Sequence, residues 1–492
     1  MDNNNNPHNF SAPTYSSFFH LGGTTYKVPM RMHYENRQKL VKRMPKEGVI
    51  LLQGGKSTIR YATDHEPLFR QESFFHYLFG VKEPDCYGAI DLQSRKSYLF
   101  VPRLPSEYGV WMGKIQPLSF FQELYEVDHA KYVDELDTVL KNELKASVLY
   151  LLKGLNTDSD KTHEPATFDN INTYAVDTEL LFPEICECRV IKTPLELELM
   201  RYVNYVSSKA HIEVMKSIRP GLMEYQMESI FQHNTYFHGG CRHMSYTCIC
   251  ASGENSSVLH YGHAGAPNSK EIRDGEIVSF DMGAEYHCYG SDITRSFPVS
   301  GKFTEEQKQI YETVLAAQEA VIKSLKPGVN WLDMHTKAYE VICEKLKEHG
   351  LLQGDVDEML KHDIPALFMP HGLGHLLGID THDVGGYPLG TERPTKPGYN
   401  KLRTVRDLEE GMVITVEPGV YFIKALLKKA KKDPLKSKFL NIPKLKEFKT
   451  FGGIRIEDDV VITAIGCENL TTAPKTVKEI EELMQAARSN KN

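Results

Sequence analysis

The sequence contains no run of about 18 consecutive apolar residues, the length that a helix needs to cross a bilayer. Its first 17 residues, MDNNNNPHNFSAPTYSS, have neither a basic start nor an apolar stretch of the kind found in export signals. We therefore expect no membrane-spanning segment and no secretion signal, and we interpret the N-terminus as a polar tail.

An excess of positive charge is also missing. The formal net charge is −7 and the isoelectric point is near 6.3, so the whole molecule has no field that would attract nucleic acid or an anionic membrane. We expect neither as a partner. The exception is the lysine-rich stretch 424–449, which has no regular apolar period. We interpret it as a solvated surface insertion, with a functional basic patch as the alternative.

The paired cysteine spacings of zinc fingers are absent as well. The nine cysteines are an odd number, and no two of them are separated by two residues. Since no export signal is found, reduced thiols in the cytosol are the simplest explanation, and we expect a cytoplasmic protein. Two C-x-C pairs, Cys186 with Cys188 and Cys248 with Cys250, are interpreted as strand packing, because alternate residues of a strand point to opposite faces.

The length of 492 residues exceeds what one hydrophobic core usually serves, and this predicts two domains. The sharpest boundary lies near residue 189, because the residues TPLE at 193–196 combine a helix N-cap, a first-turn proline and the glutamate of a capping box. Buried strands are predicted before this point at 48–53 and 97–101. We expect an N-terminal α/β domain and a larger C-terminal domain, over residues 1–189 and 190–492.

In the larger domain, the same order of helices and strands is predicted twice. Predicted helices near 194–217 and 223–238 are followed by the strand-like runs SYTCICA and IVSFDMGAEY. Predicted helices near 305–325 and 331–349 are followed by MVITVEPGVY and IRIEDDVVIT. No residue-level repeat is evident, so we interpret the pattern as a duplication of structure. Such a duplication can bring ligands from distant parts of the sequence to one centre.

Asp281 and Asp292 lie in two strand-like runs, 277–286 and 291–299. If these runs pair as a hairpin about their midpoint, the two carboxylates come nearly opposite each other across the ladder. Aspartate is disfavoured inside strands, and two unpaired anions there would repel each other. The pair needs compensation by a metal ion, or by Arg295 or backbone amides, and both explanations stay open for this pair alone.

Two glutamates and one histidine strengthen the case for a metal. Glu417 ends the apolar run VITV before a Pro-Gly turn, and in the run IRIE a period of two places Arg455 and Glu457 on one strand face. An internal ion pair between these two is the alternative. His375 ends HGLGH, whose glycines let the backbone approach a buried centre. Four carboxylates and one nitrogen suit Mn²⁺ or a similar hard ion, and two metals about 3.5–4 Å apart are the arrangement that such ligands support in aminopeptidases.

Taken together, these motifs resemble a known family. The pattern of the pita-bread metallopeptidases, and within them of the prolidases, is matched in order and spacing by SFDMGAEYHCYGSDITRSF, FMPHGLGHLLGIDTHDVGGY, VITVEPGVYF and GGIRIEDDVV. In the N-terminal part it is matched by LFRQESFFHYLFGV and FVPRLPSEYGVWMGKI. The resemblance implies an α/β (α+β) protein, in which an α/β domain similar to that of aminopeptidase P precedes a pita-bread catalytic domain with internal pseudo-symmetry.

The resemblance further implies hydrolysis of Xaa-Pro dipeptides with release of proline, a role in collagen degradation, and a cytosolic homodimer. Two Mn²⁺ ions per subunit, with Co²⁺ or Zn²⁺ as alternatives, would activate a bridging water. The implied metal ligands are Asp281, Asp292, His375, Glu417 and Glu457, of which Asp292 and Glu457 bridge the metals. The implied substrate-binding residues are Tyr246, His260, His382, Arg403 and Arg455, and the implied catalytic residues are Glu417, His260 and His382.

Several alternatives stay open. Arg403, which the resemblance assigns to the free carboxylate of the substrate, is otherwise a surface arginine in the polar run 401–410. Trp111 either closes the substrate pocket, from the N-terminal domain or a neighbouring subunit, or packs in a core. Aminopeptidase P shares the fold and ligands but acts on longer peptides. A silent peptide-binding or histone-binding module is a further rival, and the presence of all five implied ligands argues against it.

Overall fold

The computed structural model describes residues 15–262 and 267–489. Most of the predicted polar tail lies outside the described residues. The chain divides into two compact units: the first holds the residues up to 154 and 163–184, and the second holds 155–162 and the residues from 185 onward. The domain boundary near residue 189 stays a prediction. No described helix combines the length and the apolar character needed to cross a membrane.

A six-stranded mixed sheet organises the first unit. Its strands follow the order Val176–Asp177, Leu149–Leu151, Val49–Gln53, Tyr87–Asp91, Ser97–Val101 and His129–Tyr132. The strands predicted at 48–53 and 97–101 are confirmed, and both are buried along almost their whole length, as their continuous apolar character requires. The helices of this unit include Arg31–Val41, Ser73–Phe79, Tyr108–Trp111 and Leu118–Leu124. Trp111 is 77% exposed, so the alternative that it packs in a core is wrong.

The second unit contains the same arrangement twice. Its first half has two helices that pack together and a three-stranded sheet, namely Pro194–Ser217, Glu224–Gly239, Ile249–Ser252, Ile277–Asp281 and Thr294–Pro298. Its second half repeats this with Glu305–Ser324, Trp331–Glu348, Val413–Val416, Asp458–Ile462 and Cys467–Asn469. The duplication predicted from the sequence is therefore confirmed. Two strands of each sheet are buried at every residue and contribute to the core of the unit: Ile277–Asp281, Thr294–Pro298, Val413–Val416 and Asp458–Ile462.

Local side-chain bonds define where the helices of each half begin. The Glu196 N–H donates to the Thr193 hydroxyl (3.3 Å), and the Thr193 N–H donates to the Glu196 carboxylate (2.7 Å). Thr304 and Gln307 make the equivalent pair of bonds at the second half. These capping boxes satisfy N–H groups that the start of a helix leaves without an intrahelical acceptor. The helix starts predicted from the sequence are therefore confirmed.

Two other interpretations need correction. Cys186 and Cys188 lie in the helix Leu181–Val190 and not in a strand. The stretch 424–449 is solvated as expected, since none of its lysines is buried and Leu435 is 59% exposed, but it is not irregular. Its backbone forms three short helices, Lys424–Ala430, Pro434–Ser437 and Ile442–Glu447, held by the buried side chains of Leu427, Phe439, Leu445 and Phe448. Helices of one or two turns are too short to show a regular apolar period, which is why the pattern did not reveal them.

The segment 371–377 is paired with the edge of the strand Val413–Val416. The His375 N–H donates to the Thr415 hydroxyl (3.1 Å), and the Thr415 N–H donates to the His375 carbonyl oxygen (2.9 Å). Gly374 permits this close approach, because a Cβ built on it would lie 2.0 Å from the Thr415 carbonyl oxygen. The lack of space for a side chain therefore explains why the residue before His375 is glycine.

We expect Gly374→Ala to lower the thermal midpoint of the second unit by several degrees, because overpacking of this kind costs about 1–3 kcal/mol. Differential scanning calorimetry measures this midpoint. Gly466→Ala is the matched control, since its Cβ would lie 3.9 Å from the nearest atom, the Leu325 carbonyl oxygen. An equal fall in both variants would contradict the steric explanation.

Candidate metal centre and substrate cavity

Asp281 and Asp292 enter the site from one hairpin. Asp281 ends the strand Ile277–Asp281 and lies opposite Thr294 of the antiparallel strand. The turn between the strands has φ angles of 48° and 61° at residues 287–288, which are those of a two-residue type I′ turn. The predicted hairpin is confirmed, but its register places Thr294, and not Asp292, opposite Asp281. Both carboxylates nevertheless line the same cavity.

Glu417 and Glu457 come from the second half of the unit. Glu417 follows the strand Val413–Val416, and its N–H donates to the Leu373 carbonyl oxygen (2.9 Å). The Glu457 N–H donates to the Thr294 carbonyl oxygen (3.1 Å), and the Thr294 hydroxyl donates to Glu457 Oε2 (2.6 Å). The two halves are therefore joined at Thr294 and Glu457, and this contact brings acidic residues from distant parts of the sequence to one place.

His375 is the imidazole at this centre. Its Nε2 lies 3.3 Å from Asp292 Oδ2 and 3.4 Å from Glu417 Oε1. Single ligand atoms of Asp292, His375 and Glu457 all lie within 4.8 Å of one another, which is close enough to share an ion. The His375 Nδ1 lies 3.0 Å from the Leu376 carbonyl oxygen. Because a carbonyl oxygen only accepts, Nδ1 carries the proton and Nε2 faces the carboxylates.

The centre concentrates negative charge where little water remains. Burial, followed by repulsion from neighbouring carboxylates, raises the pKa of Glu457 well above its ordinary value. Burial also raises the pKa of Glu417, and it raises the pKa of Asp281 to about 7 although Arg455 opposes this shift. Burial lowers the pKa of His375, but the hydrogen bond to Asp292 and the charge of Glu417 outweigh it and raise this pKa to about 9. The cationic side chains nearby therefore do not balance the charge of the carboxylates, and a divalent ion would supply the balance. The carboxylate oxygens and the imidazole nitrogen are donors that fit such an ion.

Arg455 supplies part of the missing charge. Its Nη2 lies 2.6 Å from Asp281 Oδ2, whereas its Nε lies 3.8 Å from Glu457 Oε2. The alternative of an internal Arg455–Glu457 pair therefore describes only the weaker of these contacts. Arg295, the other partner considered for Asp281, instead lies 2.7 Å from Asp458 Oδ1 and serves a different buried carboxylate.

A cavity of about 770 Å³ opens over these groups. Its wall includes all five candidate ligands and four of the substrate-binding candidates, His260, His382, Arg403 and Arg455. The fifth candidate, Tyr246, reaches the site through its hydroxyl, which donates to Asp281 Oδ1 (2.5 Å). Arg403 is therefore part of the cavity wall and not an ordinary surface arginine, and its side chain is 26% exposed.

The two candidate histidines are uncharged near neutral pH. The His382 ring is perpendicular to that of His375, with 4.6 Å between the ring centroids. Burial, followed by the charges of His375 and Arg403, lowers the pKa of His382 to about 2. Burial and then the charge of Arg403 lower the pKa of His260. A neutral imidazole still has one N–H to donate, so both rings can bind an oxygen atom in the cavity.

Sequence reasoning missed several residues of the cavity region, and four of them make hydrogen bonds or ion pairs there. The His371 Nε2 lies 3.0 Å from the Tyr421 hydroxyl, which accepts a hydrogen bond from Arg455 Nη1 (2.9 Å). His371 could have been predicted from the run HGLGH, since a glycine is adjacent to each of its two histidines. Asp158 and Arg393 form ion pairs on the wall and gave no signal. An aspartate between threonine and serine in a polar segment has the composition of an ordinary turn.

Comparison with known proteins agrees with this geometry. Residues 198–464 match metallopeptidase family M24, and residues 33–150 match the N-terminal domain of aminopeptidase P. The Xaa-Pro dipeptidase of Homo sapiens is 54% identical over 480 residues, which cover 96% of this chain and 97% of that protein. The aminopeptidase PepP of Pseudomonas aeruginosa is a solved structure with a TM-score of 0.77 and 33% identity, covering 94% of this chain and 99% of its own.

A second solved structure, zinc-substituted aminopeptidase P of Escherichia coli in complex with product, has a TM-score of 0.76 and 32% identity, covering 93% of this chain and 99% of its own. The expected fold class is confirmed: an N-terminal domain like that of aminopeptidase P precedes a pita-bread domain with internal pseudo-symmetry. By the family match and by identity along almost the whole length, this chain belongs to metallopeptidase family M24.

Proposed function

We propose that this chain hydrolyses Xaa-Pro dipeptides and releases free proline. The observation that carries the proposal is the 54% identity, over 480 residues, with a protein named Xaa-Pro dipeptidase. The geometry supports it, because side chains suited to divalent metals share one cavity with Arg403, whose guanidinium can bind a free carboxylate.

The residues that would hold two metal ions are Asp281, Asp292, His375, Glu417 and Glu457, and Asp292 and Glu457 would serve both ions. Mn²⁺ suits these carboxylate oxygens and the single imidazole, and Co²⁺ or Zn²⁺ are accepted by the same donors. When bound, such ions lower the pKa of a water molecule towards neutrality and polarise the carbonyl group that precedes proline. The bond from His375 Nδ1 to the Leu376 carbonyl oxygen orients the ring for this task.

Glu417 is the proposed proton carrier. Its carboxylate lies at the proposed metal centre and lines the cavity, so it is placed to take a proton from the attacking water and to return it. The nitrogen that leaves is the imide of proline, which has no N–H before cleavage and must receive this proton. The Glu417 side chain is 17% exposed and lines the cavity, so it can reach the bond that breaks.

Of the five residues predicted to bind the substrate, His260, His382 and Arg403 are proposed to contact it, and Tyr246 and Arg455 to act through Asp281. His260 and His382 each donate an N–H to the carbonyl oxygen of the bond that breaks, where negative charge develops. Arg403 binds the C-terminal carboxylate. Tyr246 and Arg455 hold the two oxygens of Asp281, at 2.5 Å and 2.6 Å, and thereby fix the direction of this carboxylate.

A second candidate function is that of an aminopeptidase that removes the residue before proline from longer peptides. It is favoured by the likeness to aminopeptidase PepP, at a TM-score of 0.77. The two functions need the same metal centre and differ at the far end of the substrate. A dipeptidase must find a free carboxylate on proline, whereas the aminopeptidase must accept a continuing chain.

Incubation of the Mn²⁺-loaded protein with Gly-Pro and with Gly-Pro-Ala separates these functions. We expect release of proline from Gly-Pro and little cleavage of Gly-Pro-Ala, because Arg403 needs the free carboxylate next to the proline ring. Amino-acid analysis of the products measures both reactions. Gly-Ala is the control for the proline requirement. Cleavage of the tripeptide alone would overturn the dipeptidase proposal.

We expect Asp292→Asn to lose both metal and activity, because a neutral amide bridges two cations poorly. Inductively coupled plasma mass spectrometry after Mn²⁺ loading and gel filtration measures the metal content. The control Asp274→Asn removes an exposed carboxylate and should bind as much metal as the wild type. Full metal content in Asp292→Asn would contradict its role as a bridging ligand.

A homodimer in the cytosol completes the proposal. All nine cysteines are described and none is in a disulfide, which agrees with a reducing compartment. Since the chain has a mass of 56.0 kDa, sedimentation analysis of the purified protein should give about twice this mass. A mass equal to that of one chain at micromolar concentration would contradict the dimer.

A further inference from the structure

Asp158 joins two arginines on the cavity wall. Its Oδ1 lies 3.2 Å from Arg403 Nη1 and 3.3 Å from Arg393 Nη2. The segment 155–162 belongs to the same compact unit as both arginines, and all three side chains line the cavity over the candidate metal centre. The Asp158 side chain is only 13% exposed, so water screens these contacts incompletely.

The two arginines are held in different ways. Arg393 donates to the Thr157 carbonyl oxygen (3.0 Å), and its guanidinium lies 4.5 Å from the centre of the Tyr387 ring. Within residues 15–262 and 267–489, Asp158 is the only carboxylate within 4.0 Å of the Arg403 guanidinium. The direction of Arg403 therefore depends on Asp158, while Arg393 has independent support.

The direct contacts of this cluster leave one positive charge unmatched, because two guanidinium groups share one carboxylate. A dipeptide that ends in proline brings one carboxylate to this wall and completes the balance. A longer peptide brings a neutral amide to the same place and leaves the charge without a partner, which is unfavourable in a cavity of limited hydration. The cluster can therefore select substrates by their length.

We propose that Asp158 is a positioning residue, which aims Arg403 at the C-terminal carboxylate of the substrate and so sets the preference for dipeptides. This inference rests on the proposed function, because it deepens the role of the same cavity. Asp158 acts through Arg403 and contacts no reacting atom. Its loss should therefore weaken substrate binding and leave the chemical step nearly unchanged.

Steady-state kinetics of Asp158→Asn with Gly-Pro and Gly-Pro-Ala test the proposal. Asparagine keeps the size of the side chain and its suitability for a turn, and removes only the charge. We expect KM for Gly-Pro to rise about tenfold with kcat within about twofold of the wild type. The ratio of kcat/KM for Gly-Pro to that for Gly-Pro-Ala should fall.

Asp274→Asn is the control for the loss of charge. It removes the same charge from an exposed position that does not line the cavity. We expect its KM for Gly-Pro to stay within about twofold of the wild type, because the loss of charge alone is screened at an exposed site. A rise equal to that of Asp158→Asn would overturn the positioning role.

A double-mutant cycle separates positioning from a general structural effect. Arg403→Ala should raise KM, and adding Asp158→Asn to it should change KM by less than about twofold, since no guanidinium remains to be aimed. Asp158→Glu, which keeps the charge, should recover part of the KM lost in Asp158→Asn, but only when Arg403 is present. Fully additive losses, or an unchanged or lower KM in Asp158→Asn, would overturn the proposal. The wild type in the same assay distinguishes failure of this role from failure of the proposed function. If the wild type does not cleave Gly-Pro, the proposed function is wrong, and the role of Asp158 is wrong with it.

Discussion

The second unit is organised around four carboxylates that repel one another unless cations lie among them. Two unit charges about 4 Å apart interact by roughly 4 kcal/mol at the effective dielectric constant of a protein site. The fold nevertheless brings two carboxylates from each half-repeat to one place, because each of them lies in or next to an apolar strand that is buried on both faces. Burial, and then the charge of neighbouring carboxylates, raises the pKa of Asp281 and of Glu457. Divalent ions would convert the repulsion into attraction and so link metal binding to the stability of the unit.

The cationic side chains at this centre compensate only part of the charge. Arg455 contacts Asp281, and His375 lies between Asp292 and Glu417. Arg455 is itself held by the Tyr421 hydroxyl, so its position is fixed on two sides. Because Tyr246 binds the other oxygen of Asp281, the protein itself holds this carboxylate on both sides. The other carboxylates share the imidazole of His375 and the more distant guanidinium of Arg455, and divalent ions would complete their compensation.

Much of this architecture could be predicted because its signals are local. The capping boxes at Thr193 and Thr304, the buried strands and the glycines around His375 are each determined by residues a few positions apart. The residue opposite Asp281 in the hairpin was not predicted correctly, because one residue more or fewer in the turn changes which residues of the two strands pair. The short helices of 424–449 were not predicted, because they are stabilised by tertiary packing and have no periodic apolar pattern in the sequence. Asp158 was not predicted either, because its role depends on its ion pair with Arg403, which lies far away in the sequence.

The position of Asp158 in the chain separates two tasks of the site. All five candidate metal ligands and both arginines of the cluster lie within residues 198–464, the part that matches family M24. Asp158 lies outside this part and outside residues 33–150, which match the N-terminal domain of aminopeptidase P. The hydrolytic centre therefore belongs to the shared domain, whereas the carboxylate that aims Arg403 comes from the segment between the two matches. A change in this short segment could alter the length of peptide that the cavity accepts while every metal ligand stays in place.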